Sequence, residues 1–275
     1  MNKQQLISAI KEKQSYLCVG LDTDVTKIPN HLQSNPNAVL LFNKAIIDAT
    51  KNYCVAYKIN TAFYEAMGVK GWQIIEETCN YIPTTHFKIA DAKRGDIGNT
   101  SAQYAKTFFE TFAFDAVTVA PYMGEDSVRP FLEYQNKFTI VLGLTSNAGA
   151  NDFQKLIVTA NNRQKTLYQI VLEKIANWGN ENNLMFVIGA TQARDLQDIR
   201  SIIPNNFLLI PGVGAQGGSL AEVSMNGLNK SCGLLINASR NIIYASTNNN
   251  FAEAALQVAN NYNIEMREHL KTIGY

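Results

Sequence analysis

The stretch FKIADAKRGDIGNT, residues 87–100, runs from a short apolar segment directly into a cluster of charges. Phe87, Ile89 and Ala90 have the apolar character of a strand that is covered on both faces. The charged residues that follow are Asp91, Lys93, Arg94 and Asp96. A buried strand does not ordinarily end in crowded opposite charges, so the stretch predicts a functional loop at the end of a strand.

Similar apolar runs recur along the whole chain, each followed by a polar or glycine-rich break and then a segment of helical period. The eight runs are YLCVGLD (16–22), VAYKIN (55–60), HFKIADAK (86–93), AVTVAP (116–121), FTIVLGLTS (138–146), LMFVIGA (184–190), FLLIPGVG (207–214) and GLLINAS (233–239). Eight β/α alternations predict an α/β protein, a single (β/α)8 TIM barrel that spans residues 1–275. An extra N-terminal helix over residues 3–14 should cap the bottom of the barrel, and residues 251–273 should form the closing helix.

Composition and charge exclude several classes of protein. The chain has 275 residues, 46% of them hydrophobic, and a net charge of +1, which gives no electrostatic reason to expect nucleic acid or a membrane surface as partner. No apolar run reaches the roughly 18 residues of a transmembrane helix, and the polar N-terminus lacks a signal-peptide core. The four cysteines are widely spaced and lack a C-x-x-C pair. We therefore expect reduced, buried thiols in a cytoplasmic protein.

The ends of the predicted strands carry most of the polar chemistry of the chain. These positions are Asp22, Lys58, Asp91 with Lys93, Pro121, Ser146, Gly212 to Gly218, and Asn237 to Arg240. Because catalytic residues of such barrels lie in the loops that follow the strands, this placement indicates an enzyme.

The charged cluster of the third strand has a geometry that suits a small pocket. Asp91 and Lys93 are two residues apart, so both side chains should point to one face, with Lys58 of the preceding strand beside them. Asp96 lies further along the loop, where it either reaches back or serves a site across a dimer interface. A structural ion-pair network at the loop entrance is the alternative interpretation.

The remaining residue types narrow the chemistry. None of the three histidines, at positions 31, 86 and 269, falls at the C-terminal end of a predicted strand, which disfavours histidine acid–base chemistry. No cluster of His, Cys, Asp and Glu has metal-ligand spacing, so no metal is expected. A lysine is then the best available acid.

The segment PGVGAQGG, residues 211–218, follows the seventh predicted strand. Its G-x-G-x-x-G pattern is weak as a dinucleotide fingerprint, because position 232, about 20 residues on, is Cys rather than an acidic residue. The loops after strands seven and eight of such barrels often bind phosphate through backbone N–H groups. Gln216 and Arg240 would supply side-chain donors. A glycine-rich turn next to a surface arginine is the alternative.

Five motifs together give the sequence a specific resemblance. They are DAKRGDIGNT, PYMGEDSVRPF, LGLTSNAGA, PGVGAQGG and NASRNIIYA. Their combination and order resemble the orotidine 5'-phosphate decarboxylase family, in particular its longer bacterial subgroup (type 2). The resemblance implies a homodimeric barrel with shared active sites, a carbon–carbon lyase that converts orotidine 5'-monophosphate to UMP and CO2 without a cofactor. This reaction is the last step of de novo pyrimidine nucleotide synthesis.

The resemblance also implies roles for the charged residues. Lys58, Asp91, Lys93 and Asp96 would form an alternating catalytic array. Lys93 would donate the proton to C6 of the pyrimidine, and Asp96 would reach into the site of the neighbouring subunit.

The implied substrate-binding residues are Asp22, Thr100, Ser146, Gln216 and Arg240. Asp22 would bind a ribose hydroxyl, and Thr100 would act at the ribose side across the interface. Ser146 would contact the pyrimidine, although Thr145 is adjacent and a shift of one residue in register would exchange the two.

Three other functions are weighed against this interpretation. A sister decarboxylase acting on a sugar-acid phosphate with Mg²⁺ would be expected to carry a glutamate where this chain has Lys58. A Schiff-base aldolase would use Lys58 or Lys93. A catalytically silent, phosphate-binding barrel would have little reason to retain Asp91, Lys93 and Asp96 together with the phosphate residues.

Overall fold

The computed structural model describes residues 1–160, 163–214 and 217–275. Eight parallel strands close into a barrel in which each predicted apolar run supplies one strand. The strands are β1 (Leu17–Gly20), β2 (Ala56–Asn60), β3 (Phe87–Arg94), β4 (Ala116–Val119), β5 (Phe138–Leu144), β6 (Ile157–Ala160), β7 (Arg163–Thr166), β8 (Leu184–Ile188), β9 (Leu208–Pro211) and β10 (Leu234–Ala238). Around the barrel the order is β1-β10-β9-β8-β5-β4-β3-β2, while β6 and β7 form a separate antiparallel hairpin. The predicted (β/α)8 fold is confirmed.

Helices follow the barrel strands and surround them. They are α1 (Lys3–Lys13), α2 (Asn30–Gln33), α3 (Ala38–Thr50), α4 (Thr61–Glu65), α5 (Val69–Tyr81), α6 (Gly98–Lys106), α7 (Glu125–Leu132), α8 (Leu167–Ile175), α9 (Leu196–Ile202), α10 (Leu220–Gly227), α11 (Arg240–Ile243) and α12 (Phe251–Lys271). Short 3-10 turns occupy Ala148–Asn151 and Ala190–Asp195, and a π-helical turn at Thr107–Thr111 extends α6. Of the helices within the described residues, none combines the length and apolar character needed to cross a membrane.

The N-terminal helix lies across the bottom of the barrel, as predicted. It begins with a capping box, in which the Asn2 side chain accepts from the Gln5 N–H and the Gln5 side chain accepts from the Asn2 N–H. At its other end, Lys13 Nζ donates to the carbonyl of Cys54, just before β2, and contacts His86, just before β3. These contacts fix the helix to the N-terminal ends of the strands and leave the opposite mouth of the barrel open for a site.

The core is formed by the strands and the inner faces of the helices. Every residue of β1, β4, β8 and β10 is buried, which explains why these runs are mostly apolar rather than alternating. The closing helix α12 packs on α3, where the rings of Phe42 and Phe251 stack with their centroids 5.1 Å apart. Burial of these apolar surfaces supplies the main driving force for folding.

Two segments depart from the regular pattern. The stretch over residues 146–164, predicted as a long loop, contains the 3-10 turn and most of the β6–β7 hairpin. Within β3 the pairing with β4 shifts between Ala90 and Arg94, so the strand end that carries the charges is bulged rather than regular.

Candidate active site

A cavity opens at the C-terminal ends of the barrel strands, where the sequence predicted the chemistry. Its lining residues are Asp22, Lys58, Asp91, Lys93, Thr118, Val187, Leu209, Pro211, Gly212, Val213, Asn237, Ser239 and Arg240. The wall is therefore apolar on the side of β8 and β9 and charged on the side of β1, β2 and β3. Five of the nine predicted site residues converge here.

Lys58 is the central cation of the charged wall. It lies in the middle of β2, between β1, whose following loop carries Asp22, and β3, which carries Asp91. Its Nζ lies 3.1 Å from Asp22 Oδ1 and 2.9 Å from Asp91 Oδ2. Only 4% of its side chain is exposed. Burial alone would lower the pKa of Lys58, but the charges of Asp22 and Asp91 outweigh burial and raise it. Lys58 therefore stays protonated and holds both carboxylates in place.

Asp91 links Lys58 to Lys93. Its Oδ1 lies 2.5 Å from Lys93 Nζ, and its Oδ2 takes the contact with Lys58. Burial alone would raise the pKa of Asp91, but the two ammonium groups hold it well below its ordinary value. The result is an alternating chain of charges from Asp22 through Lys58 and Asp91 to Lys93.

Lys93 is the exposed end of this chain, with half of its side chain accessible to solvent. Its backbone is left-handed, with φ of 48°, which is uncommon for a residue other than glycine. The predicted placement of Asp91 and Lys93 on one face is confirmed, although the strand reaches it through a bulge rather than by regular alternation. Lys93 thus presents an ammonium group to the cavity next to a fixed carboxylate.

Thr118 is a lining residue that the reasoning from sequence missed. It lies within the apolar run AVTVAP, and its hydroxyl donates to Asp91 Oδ1 at 3.1 Å. Asn237, which the sequence placed at the end of a predicted strand, lines the cavity from β10 and donates to Ser239 Oγ at 3.3 Å. The available signal for Thr118 was that a single polar side chain interrupts an otherwise apolar strand.

The predicted phosphate end of the cavity is formed by Gly212, Val213 and Arg240. Arg240 is the first residue of α11, so the turn after β10 brings its exposed side chain to the mouth of the cavity. Gln216, the other predicted phosphate ligand, lies outside the described residues. One guanidinium group therefore lines the cavity directly after β10, the strand that neighbours β1.

The glycine-rich loop after β9 has a backbone that only glycine adopts readily. Gly212, Gly214 and Gly217 have φ values of 99°, 74° and 83°. The Gly214 N–H donates to the Gly218 carbonyl at 3.0 Å, and the Gly217 N–H donates to the Gly214 carbonyl at 3.0 Å. These N–H groups, expected to face a phosphate, are thus engaged within the loop.

Asp96 and Thr100 do not line the cavity that the described residues form. The Asp96 carboxylate accepts the N–H of its neighbour Ile97 at 2.7 Å, and Thr100 lies in the first turn of α6. Both are half-buried, and the side chain of Ile97 between them is exposed. Within one chain, then, the fourth charge of the expected array stands apart from the other three.

Ser146 and Thr145 follow β5, and neither lines the cavity as the described residues define it. Thr145 Oγ1 donates to Asn147 Oδ1 at 2.6 Å. Ser146 Oγ is buried and has no hydrogen-bond partner among the described residues. A Cβ atom at Gly189 would come within 2.1 Å of this hydroxyl, so a glycine directly follows β8 where the chain passes Ser146.

The site has no visible provision for a metal ion. In the described part of the chain, no group of three or more His, Cys, Asp or Glu side chains is arranged to hold one. The carboxylates of Asp22 and Asp91 are instead paired with the ammonium groups of Lys58 and Lys93.

The fold and the cavity define the class of protein: a (β/α)8-barrel enzyme whose site is built from alternating lysine and aspartate side chains. Comparison with known proteins gives the family. A profile described as "Orotidine 5'-phosphate decarboxylase / HUMPS family" matches residues 15–255, and the chain belongs to this family.

Curated relatives match over nearly their whole length. A protein of Bacteroides fragilis named orotidine 5'-phosphate decarboxylase is 57% identical, with 99% of this chain and 100% of the relative covered. A protein of the same name from Christiangramia forsetii is 60% identical, with 93% of each chain covered.

Solved structures share the fold. OMP decarboxylase of Leishmania donovani superposes with a TM-score of 0.80 at 34% identity, over 96% of this chain and 99% of that one. UMP synthase of the same organism gives a TM-score of 0.81 at 36% identity, over 94% of this chain and 56% of that longer protein.

Proposed function

We propose that the protein decarboxylates orotidine 5'-monophosphate to UMP and CO2, the last step of de novo pyrimidine nucleotide synthesis. The observation that carries the proposal is the chain of contacts Asp22–Lys58–Asp91–Lys93, which lines the same cavity as Arg240 in a member of this family. Ammonium and carboxylate groups alternate along this chain of contacts. Such an arrangement suits a reaction that moves negative charge onto a carbon atom, because an ammonium group can stabilise that charge.

Lys93 is the proposed proton donor. Loss of CO2 breaks the bond between C6 and the carboxylate carbon, and the electron pair stays on C6. The Lys93 ammonium first stabilises that pair electrostatically and then transfers a proton to C6, giving UMP; the neutral amine regains its proton from water. Lys93 suits this role because its Nζ is exposed to the cavity and restrained by Asp91.

Asp91 contributes by proximity to the departing group. Two unit charges about 4 Å apart repel by roughly 4 kcal/mol at an effective dielectric of about 20. Enzymes typically lower barriers by about 8–23 kcal/mol, so this repulsion supplies only part of the effect. The rest has to come from stabilisation of the carbanion and from binding energy at the remote phosphate.

Arg240 is the proposed anchor for the phosphate. Its guanidinium is a rigid fork that can bind two phosphate oxygens at once. Gln216 is proposed as a second donor, Asp22 as the ligand of a ribose hydroxyl, and Ser146 as the contact to the pyrimidine. The unpartnered hydroxyl of Ser146, compared with the engaged hydroxyl of Thr145, supports this choice between the two neighbours.

We further propose that the protein is a cytoplasmic homodimer in which Asp96 and Thr100 serve the site of the partner subunit. The half-buried Asp96 lies outside the cavity of its own chain, beside Ile97, whose side chain is 59% exposed. Tyr122, in the loop after β4, is 94% exposed. Exposed apolar side chains, together with a carboxylate that lies outside the cavity of its own chain, suit a contact with a second copy of the chain. The four free, buried cysteines suit a reducing compartment.

The dimer proposal is tested by subunit complementation. The variants Lys93→Ala and Asp96→Asn, each inactive alone, should recover about one quarter of wild-type activity when their subunits are exchanged, because about half of the dimers are hybrids with one intact site. A mixture of Lys93→Ala and Asp91→Asn is the matched control and should stay inactive. Failure of the first mixture, with hybrids demonstrated by mass spectrometry, would place Asp96 in the site of its own subunit.

The function itself is tested by following orotidine 5'-monophosphate by ultraviolet absorbance with purified protein and excess EDTA. We expect rapid loss of substrate with UMP as product. Activity that requires added Mg²⁺ would contradict the metal-free mechanism. A folded protein that is inactive with and without Mg²⁺ would contradict the proposed function, and borohydride trapping with sugar phosphates would then test a Schiff-base reaction.

A further inference from the structure

The bulge of β3 creates a backbone group that needs a partner. Ala90 pairs with Val117 and Arg94 pairs with Val119, so three residues of β3 stand opposite the single residue Thr118 of β4. Lys93, in this bulge, has the left-handed φ of 48°. The Lys93 N–H donates to Thr118 Oγ1 at 2.9 Å. In a regular strand this N–H would pair with a backbone carbonyl, so here a side chain takes the place of that carbonyl.

This contact determines where the Thr118 hydroxyl donates its own proton. A threonine hydroxyl has one proton, and because Thr118 Oγ1 accepts from the Lys93 N–H, its own proton is available for another acceptor. Asp91 Oδ1 lies 3.1 Å away and, as a carboxylate, can only accept. Hydrogen bonds therefore run in one direction, from the Lys93 backbone through Thr118 to Asp91.

Asp91 Oδ1 also receives the Lys93 ammonium at 2.5 Å, so the three groups close a ring. Thr118 is only 1% exposed, and its side chain lines the cavity at the base of this ring. The ring ties the side chain of Lys93 to its own backbone through two residues on neighbouring strands.

We infer that Thr118 is a positioning residue for the decarboxylation: its hydroxyl holds the left-handed backbone of Lys93 and the orientation of the Asp91 carboxylate, so that the Lys93 ammonium is presented at the reacting carbon. This inference rests on the function proposed above. Because Thr118 acts through Lys93 and Asp91, its loss lowers the rate of the chemical step more than it weakens nucleotide binding.

The test compares one substitution that removes the hydroxyl with one that retains it. Thr118→Val keeps the size and removes the hydroxyl, and we expect kcat to fall roughly 10- to 100-fold, the effect of losing a hydrogen bond to a charged group. KM for orotidine 5'-monophosphate and Kd for UMP should change by less than about 3-fold, because the substitution does not alter the contacts that bind the nucleotide in its ground state. Thr118→Ser retains the hydroxyl and should keep kcat within about 3-fold of wild type.

Thr139 provides a matched control. It is a fully buried threonine on the adjacent strand β5, and within the described residues its hydroxyl has no hydrogen-bond partner. Thr139→Val should therefore leave kcat unchanged. A loss of activity in Thr139→Val equal to that of Thr118→Val would show that any buried threonine of the barrel gives the effect, and would overturn the inference.

Two further outcomes would overturn it. One is a Thr118→Val protein with wild-type kcat, and the other is a Thr118→Ser protein as impaired as Thr118→Val. If the valine variant does not fold, Thr118→Ala, checked by circular dichroism, replaces it with the same expectation for kcat. A wild-type protein that is itself inactive would instead contradict the proposed function, so the two failures are distinguishable.

Discussion

Lys58 Nζ lies 2.9 Å from Asp91 Oδ2, and both groups are largely shielded from solvent on the adjacent strands β2 and β3. Neither charge is stable there without the other, because an ion in a poorly solvated site requires a close partner. The pair is therefore both a part of the proposed catalytic array and a condition for the stability of the barrel mouth.

Lys58→Met should destabilise the protein strongly. The substitution leaves Asp91 with Lys93 alone and Asp22 without its cation, and removing one member of a buried pair costs about 3–5 kcal/mol of unfolding free energy. Urea denaturation at neutral pH measures this loss. Lys271→Met removes an exposed ion pair with Glu268 and serves as the control, with little expected change. Equal stability of both variants would show that the Lys58 pair is dispensable for folding.

The same pair gives the wild type a defined pH dependence. Because the pKa of folded Asp91 is held below its ordinary value of 3.8, its contribution to stability is fully present above that value. As the pH falls further the unfolded chain takes up the proton first, and the contribution is lost. Denaturation curves of the wild type between pH 5 and pH 3, compared with those of Lys58→Met, should show a steeper loss for the wild type.

Lys93→Ala should abolish turnover while leaving nucleotide binding largely intact. The variant removes the proposed proton donor and the charge that stabilises the carbanion, and we expect kcat to fall by roughly 1,000-fold or more. UMP binding, measured by calorimetry, should weaken by less than about 10-fold, since the phosphate anchor remains. Lys70→Ala, an exposed lysine of α5, is the control. Near-normal turnover of Lys93→Ala would refute its role.

Arg240→Ala should weaken only substrates that carry the phosphate. Because the variant loses the charge-assisted hydrogen bonds from the guanidinium to the phosphate, we expect kcat/KM for orotidine 5'-monophosphate to drop by roughly 10- to 100-fold. The phosphate-free nucleoside, orotidine, should be turned over equally by the wild type and the variant. Arg267→Ala, an exposed arginine of α12, is the control. Equal losses on nucleotide and nucleoside would mean that Arg240 acts on another part of the substrate.

Much of the fold follows from the sequence because a covered parallel strand has a simple signature. Seven of the eight apolar runs contain their strand and the third, 86–93, falls one residue short of it, since both faces of a barrel strand are buried and neither requires polar residues. The antiparallel pair of β6 and β7 was not predicted, because the short strands IVTA and RQKT lack the long apolar run that marks the barrel strands.

The site was predictable wherever strand ends fix side chains, and less so where loops do. Asp22, Lys58 and Asp91 meet because the parallel register of β1, β2 and β3 brings their C-terminal halves side by side. The role of Thr118 depends on a bulge, and periodicity does not report a bulge. For Asp96 the sequence left open whether it reaches back or across an interface, since spacing along a loop does not fix where a side chain points.

His86, at the bottom of the barrel, predicts a second pH effect that is separate from the site. Burial, aided by the nearby Lys13 charge, lowers the pKa of His86 to about 4 from an ordinary 6.5. The folded protein therefore keeps the ring neutral while the unfolded chain protonates, so stability should fall as the pH is lowered from 6.5 to 4. At about 1.4 kcal/mol per pKa unit, the loss is up to about 3.5 kcal/mol.

His86→Gln should flatten this dependence. The glutamine oxygen can still accept from Lys13 Nζ, which lies 2.6 Å from His86 Nε2, but the side chain no longer takes up a proton. Unfolding free energies measured by urea denaturation at pH 7, 6 and 5 provide the comparison. His31→Gln changes an exposed ring on α2 and should keep the slope of the wild type. If His86→Gln retained that slope as well, the lowered pKa of His86 would not be its cause, and the neutral ring would have to be assigned a purely packing role against Tyr57.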